Sequence, residues 1–147
     1  MTNDQQKKSI DQLALIPILE EKIDTKLERV LENTDNWRHY YTDIDGAILA
    51  LSLVGLHLDE LPEEIGMLTE LNYLDVSQNN LKAIPEFIKN LKHLAILKIS
   101  NNQLYTLPEW IGDLNLLKHL HLDNNQLYSV EIKGRISGLH NLYYITK

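Results

Sequence analysis

Four apolar anchors, Ile48, Leu71, Leu94 and Leu117, stand 23 residues apart, and each opens the same run of letters. The second unit reads Leu71-x-x-Leu74-x-Val76-x-x-Asn79-x-Leu81-x-x-Ile84-Pro85-x-x-Ile88-x-x-Leu91. The third repeats it as Leu94-x-x-Leu97-x-Ile99-x-x-Asn102-x-Leu104-x-x-Leu107-Pro108-x-x-Ile111-x-x-Leu114. A unit this short cannot close a core of its own and must lay its apolar side against its neighbours. The period therefore dictates a stack of turns, a solenoid.

In Leu-x-x-Leu-x-Leu the apolar residues at alternate positions share one side of a short strand, and the residues between them face the other way. Pro62, Pro85 and Pro108 then follow. Proline lacks a backbone donor and fixes its own φ, which suits the first residue of a helical turn, so the strand must end before it. The chain returns through Ile65 and Leu68, Ile88 and Leu91, and Ile111 and Leu114. Successive strands accordingly run parallel, side by side.

These recurring residues resemble the leucine-rich repeat family, over about two thirds of the chain. The resemblance implies an α/β fold, a right-handed leucine-rich repeat solenoid. Its parallel β-sheet lies on the concave side, its short helical or 3-10 segments on the convex side, and a helical cap at the N-terminus. The expected organisation is a cap and hairpin over residues 1–46, then repeats over 47–147, four units plus the start of a fifth. The unit length with Leu-Pro-x-x-Ile is similar to the intracellular, signalling-scaffold type of repeat. That implies a cytoplasmic, non-enzymatic protein that binds other proteins and uses no cofactor.

Asn79, Asn102 and Asn125 form one column where the chain leaves the strand and turns inward. A buried turn has backbone groups that no strand pairs, and an amide side chain supplies both donor and acceptor. A structural ladder is expected there rather than a ligand site, because buried polar groups mostly serve structure. The first unit has Leu56 in this slot, which marks it as a modified end repeat.

Ahead of the repeats, Ser9-x-x-Gln12 resembles a capping box, and Leu13, Ile16, Ile23, Leu27, Val30 and Leu31 make an apolar stripe at helical spacing. Pro17 is expected to kink or divide that helix near its start. The stripe reads as a cap over the open end of the stack rather than a docking helix, since amphipathic stripes usually face their own core. Asp45-Gly46 signals a hairpin, both central residues of such a turn favouring positive φ. Trp37, just before it, is similar to the cap tryptophan of many leucine-rich repeat proteins. At the other end Glu131 replaces the proline, Gly134 and Gly138 interrupt the return, and Leu142 comes 25 residues after Leu117. A fifth strand begins at Leu142-x-x-Ile145 with no evident helix to cover its edge. Either the natural polypeptide continues past Lys147, or a partner or second copy pairs with this strand.

Composition narrows the partners. The net charge is −7, from 14 basic and 21 acidic residues, with no basic stripe, which speaks against nucleic acid and anionic membrane. Cysteine is absent, so disulfides, thiolate metal sites and a cysteine nucleophile are excluded. The apolar run from Leu13 to Leu19 contains Pro17 and is too short to cross a membrane.

Function is sought on the variable strand face. One outward column runs Ala50, Tyr73, Ile96, His119 and Tyr144, and the next Ser52, Asp75, Lys98, His121 and Thr146. A third holds Val54, Ser77, Ser100 and Asp123. At ~4.8 Å per strand the five strands span only ~20 Å. The expected contact residues are Tyr73, Asp75, Ile96, Lys98, His119, His121, Asp123 and Tyr144, aromatic rings among a few charges as interface centres tend to have. On the convex side Phe87 and Trp110 share a slot one repeat apart, either packing between turns or forming a second patch.

Two chemical readings compete with binding. His119-x-His121 has metal-ligand spacing, but the neighbouring columns offer only Lys98, Ser100, Tyr144 and Thr146 as further ligands, which argues for no metal site. Ser100, His121 and Asp123 supply the residue types of a hydrolase triad, yet an open, shallow sheet has no evident oxyanion donors and no means of excluding water. The leading expectation is a protein-recognition module or scaffold. Its competitor is a structural repeat segment of a larger polypeptide whose activity lies elsewhere.

Overall fold

A computed structural model describes residues 11–30, 38–42, 45–142 and 144–146. Among these residues seven strands form one sheet in chain order: β1 (Glu28–Val30), β2 (Arg38–Thr42), β3 (Ile48–Leu53), β4 (Tyr73–Asp75), β5 (Ile96–Lys98), β6 (His119–His121) and β7 (Tyr144–Thr146). From β3 to β7 the pairing is parallel and the register is the 23-residue period itself: Ala50, Tyr73, Ile96, His119 and Tyr144 stand side by side. The alternating leucines Leu51, Leu74, Leu97 and Leu120 face inward and are fully buried. Each such side chain stabilises the fold by about 2 kcal/mol through removal from water.

The expected solenoid is thus observed, with 3-10 turns at Glu63–Met67, Glu86–Asn90 and Glu109–Asp113 returning the chain to the next strand. The prolines sit one residue earlier than expected, before these turns and not as their first residue. Their ψ angles of 134°, 147° and 153° are extended. The carbonyl of each proline accepts from the isoleucine N–H three residues on, at 3.2 Å in Pro62–Ile65, Pro85–Ile88 and Pro108–Ile111. A residue in that place needs only its carbonyl, so the missing N–H of proline is harmless. Without a proline, the fourth unit forms a true α-helix, α2 (Ser129–Arg135).

A column of left-handed backbone precedes the asparagines: Gly55, Gln78, Asn101 and Asn124 all have φ between 54° and 67°. Its signal in the sequence is the Gly/Gln/Asn/Asn column, residue types among which glycine and asparagine tolerate this conformation.

The N-terminal region departs from the expected long helix. α1 covers only Leu15–Ile23, preceded by a 3-10 turn at Gln12–Ala14 whose cap is the Asp11 side chain. Ser9, Leu31 and Trp37 lie outside the described residues. Pro17 falls in the first turn of α1, where its missing N–H leaves no helical bond unmade, and the helix runs on through it. Asp24 ends the helix at φ 50°, and Glu20 fastens the exit by accepting from Leu27 N at 2.8 Å and Lys26 Nζ at 2.6 Å. Leu27 is therefore buried beyond the helix, and Val30 belongs to β1, which pairs parallel with β2. The buried Gln12 side chain ties this region to the first repeat, its Oε1 accepting from Ile48 N at 2.7 Å.

β2 and β3 form the expected antiparallel hairpin, with a bulge at Tyr41/Thr42. Only Gly46, at φ 85°, has the positive φ expected of both Asp45 and Gly46. The connection from Thr42 to Ile48 is longer than two residues, so it does not need the two-residue turn.

Lys22 of α1 reaches Glu64 of the first 3-10 turn at 2.5 Å. The Lys22 ammonium holds the Glu64 carboxyl below its ordinary range, and Glu64 raises Lys22. A depressed carboxyl stabilises the fold above its unfolded pKa and loses that contribution as pH falls through the folded value. A raised lysine stabilises below its own unfolded pKa and loses its share at high pH. The stability gap between wild type and Glu64→Gln should therefore be largest between these limits, modest because the lysine end of the pair is open to solvent, and vanish below the carboxylate range. Urea midpoints across pH would show it, and a gap persisting in strong acid would refute it.

Candidate interaction surface

The three outward columns are placed as the period requires, but they are not equally open. Ala50 and Ser52 are buried, as are Tyr73 at 7% and Asp75 at 9% exposure. Ile96, Lys98, His119, His121 and Asp123 are half-exposed. The open part of the concave face thus starts at β5. Periodicity gives the side a residue faces, whereas coverage of that side depends on what packs there.

Tyr73 and Asp75 form a set with Lys98. The Tyr73 hydroxyl donates to Asp75 Oδ2 at 3.3 Å, Lys98 Nζ lies 4.0 Å from the same oxygen, and it stands 5.3 Å from the centre of the Tyr73 ring. Asp75 Oδ1 accepts from Ser77 N at 3.0 Å, fixing the carboxylate. Burial pushes the Tyr73 hydroxyl pKa up, Asp75 adds to the shift and Lys98 opposes it. Tyr73 and Asp75 hence orient Lys98 from beneath.

His121 neighbours Lys98 across the strand pair. Its pKa is lowered, first by burial and then by Lys98, with Asp123 pulling the other way. A neutral imidazole is therefore favoured further into the acid range than for a free histidine. The Ser100 hydroxyl donates to Asp123 Oδ2 at 3.1 Å. Its single proton is then directed at the carboxylate and not at His121, the reverse of the order a Ser-His-Asp nucleophile needs. Among the described residues no group of three or more His, Asp or Glu side chains is placed to hold a metal. Tyr144 lies in β7 beside His119 by backbone register.

The asparagine column turns inward as a ladder. Asn102 donates from Nδ2 to Val76 O at 3.0 Å and Ile99 O at 3.1 Å, while its Oδ1 accepts from Leu81 N at 3.0 Å. Asn79 bonds in the same way to Leu53 O, Val76 O, Leu56 N and Leu58 N, and Asn125 to Ile99 O, Leu122 O and Leu104 N. On the convex side Phe87 and Trp110 are half-buried and packed against the core. Two exposed tyrosines, Tyr105 and Tyr128, fall outside every expected site because they lie beyond the strands. Their recurrence one period apart is the signal that the sequence offers for them.

No described helix is long and apolar enough to cross a membrane. A search of curated protein sequences gives no significant match. Among solved structures, the chain is similar to a leucine-rich repeat protein of Leptospira interrogans, with 33% identity over 72% of this chain and 29% of that one, at a TM-score of 0.62. An internalin of Listeria monocytogenes aligns at 24% identity over 76% of this chain and 33% of its own, TM-score 0.57. The Drosophila melanogaster SNF/U2A′ complex aligns at 21% identity over 72% and 60%, TM-score 0.57, and these last two show the fold alone. The chain spans about a third of the length of the bacterial structures. The family description "Leucine-rich repeat region" matches residues 47–146, two thirds of the sequence, and the chain belongs to the leucine-rich repeat family.

Proposed function

We propose that this chain is a non-enzymatic protein-recognition module whose partner sits on the C-terminal half of the concave face. Leucine-rich repeat domains generally mediate protein–protein interactions. The observation that carries the reading is the gradient of exposure along the columns: Tyr73 and Asp75 are covered, and Ile96, Lys98, His119, His121 and Asp123 remain accessible. They combine an apolar centre, two imidazoles and charges of both signs, a mixture suited to fixing the orientation of a protein surface. Two strands, β5 and β6, ~4.8 Å apart, make a narrow patch, so affinity rests on few contacts.

The test is affinity capture from source extract, using wild type and a Lys98→Glu/His121→Ala variant as baits. A specific partner should bind wild type and be depleted about tenfold or more on the variant, the effect of removing one or two central contacts. Identical partners on both baits would sink the concave reading.

A further inference from the structure

Charge is divided along the solenoid. Residues 1–81, which carry β1 to β4, hold 16 acidic and 6 basic side chains, whereas residues 82–147, which carry β5 to β7, hold 5 acidic and 8 basic. The strands pair in chain order, so among the described residues this division in sequence is also one in space. The open part of the concave face lies wholly in the basic segment. At physiological salt a charge is felt over ~8 Å, less than two strand spacings of ~4.8 Å, so the acidic segment from β4 back is largely screened from β6. Within the patch the carboxylates already serve the fold. Asp75 accepts from Ser77 N and the Tyr73 hydroxyl, with its side chain only 12% exposed, and Asp123 accepts from Ser100. Lys98 keeps 29% of its side chain at the surface, with His121 beside it on β6 and His119 two residues before that.

Building on the concave reading, we propose that this patch takes an acidic segment of a protein partner, one carboxylate docking on Lys98 and His121. The charged and titratable groups that face His121 are Lys98 on β5, Asp75 on β4, and His119 and Asp123 on its own stretch of chain, while β7 places the uncharged Thr146 beside it. An arriving carboxylate offsets the effect of Lys98 on the imidazole, so binding favours the protonated ring and takes up a proton. Tyr73 and Asp75 hold Lys98 in place beforehand, which reduces the entropy lost on docking. One lysine and two imidazoles suit a few carboxylates. A nucleic-acid strand, with a phosphate at every nucleotide, needs a run of cations that this patch does not have.

Calorimetric titration of the full chain with hexaglutamate tests it, with hexaserine and hexathymidylate alongside. Hexaglutamate should bind at low salt, weaken at high salt, and tighten as pH falls from about 8 to about 6. Lys98→Gln should weaken it roughly tenfold, and Lys98→Arg should keep it. His121→Gln should remove most of the pH dependence. Lys133→Gln, which makes the same change in net charge on α2, should bind as wild type does. The proposal fails if hexaglutamate binds no more tightly than hexaserine up to millimolar concentration, if Lys133→Gln weakens it as much as Lys98→Gln, or if hexathymidylate binds more tightly. Loss of an extract partner on the Lys98→Glu/His121→Ala bait, with no binding of hexaglutamate, would keep the concave site and overturn only its acidic ligand.

Discussion

Replacing Asn102 with alanine is expected to destabilise the protein by about 2–3 kcal/mol, seen as a lower urea midpoint. The side chain is buried, and its loss strands Leu81 N, while Val76 O and Ile99 O each lose one amide donor and keep another, from Asn79 and Asn125. An unmet buried donor alone costs about 1–3 kcal/mol, and each carbonyl loses one of its two amide donors. Asn102→Asp should be no better. It keeps an acceptor for Leu81 N but turns a buried charge toward two carbonyl oxygens. Asn125, half-exposed, should cost less in the same substitution, about 1–2 kcal/mol, because water can reach its partners. An Asn102→Ala variant within about 0.5 kcal/mol of wild type, the range of an ordinary surface change, would show that the ladder is not what holds these turns.

The same bonds explain why the first unit carries Leu56 in place of asparagine. Each ladder asparagine reaches backward: Asn79 serves Leu53, Leu56 and Leu58 of the unit before it, and Asn102 serves Val76 and Leu81. The first unit has no earlier repeat to serve. Its own turn is satisfied from Asn79, so an apolar residue in that slot leaves no group unmet.

Features set by the period are legible in the order of residues alone. The pairing of Ala50, Tyr73, Ile96, His119 and Tyr144 follows by counting, and so does the inward leucine column. Features set by what packs against the repeats are not. Leu27 and Val30 keep helical spacing, yet Asp24 turns left-handed and sends them into an extended segment and β1. Local spacing is a weak guide once a sheet edge competes for the backbone. Tyr73 and Asp75 face the concave side as counted, but their burial makes them supports for Lys98. Tyr105 and Tyr128 lie outside the strands, where no apolar demand from the fold exists to explain them.

Gly138 and Gly134 both interrupt the last return, yet they should answer substitution with opposite signs. A Cβ on Gly138 would stand 2.9 Å from Gly112 O and 3.4 Å from Gly112 Cα, backbone atoms that cannot swing aside. Here the final turn lies directly on the Glu109–Asp113 turn, and the missing Cβ of Gly138 permits that approach. Gly138→Ala should therefore cost about 2–3 kcal/mol through overpacking. Gly134 lies inside α2, and a Cβ there meets nothing within 4 Å. With helical backbone and open space, Gly134→Ala should gain about 0.5–1 kcal/mol by removing freedom from the unfolded chain. Thermal melts of the two variants side by side would decide the matter. A Gly138→Ala protein as stable as wild type would mean that the last turn does not rest on Gly112, and that the close contact is not what seats α2 and β7 on the solenoid.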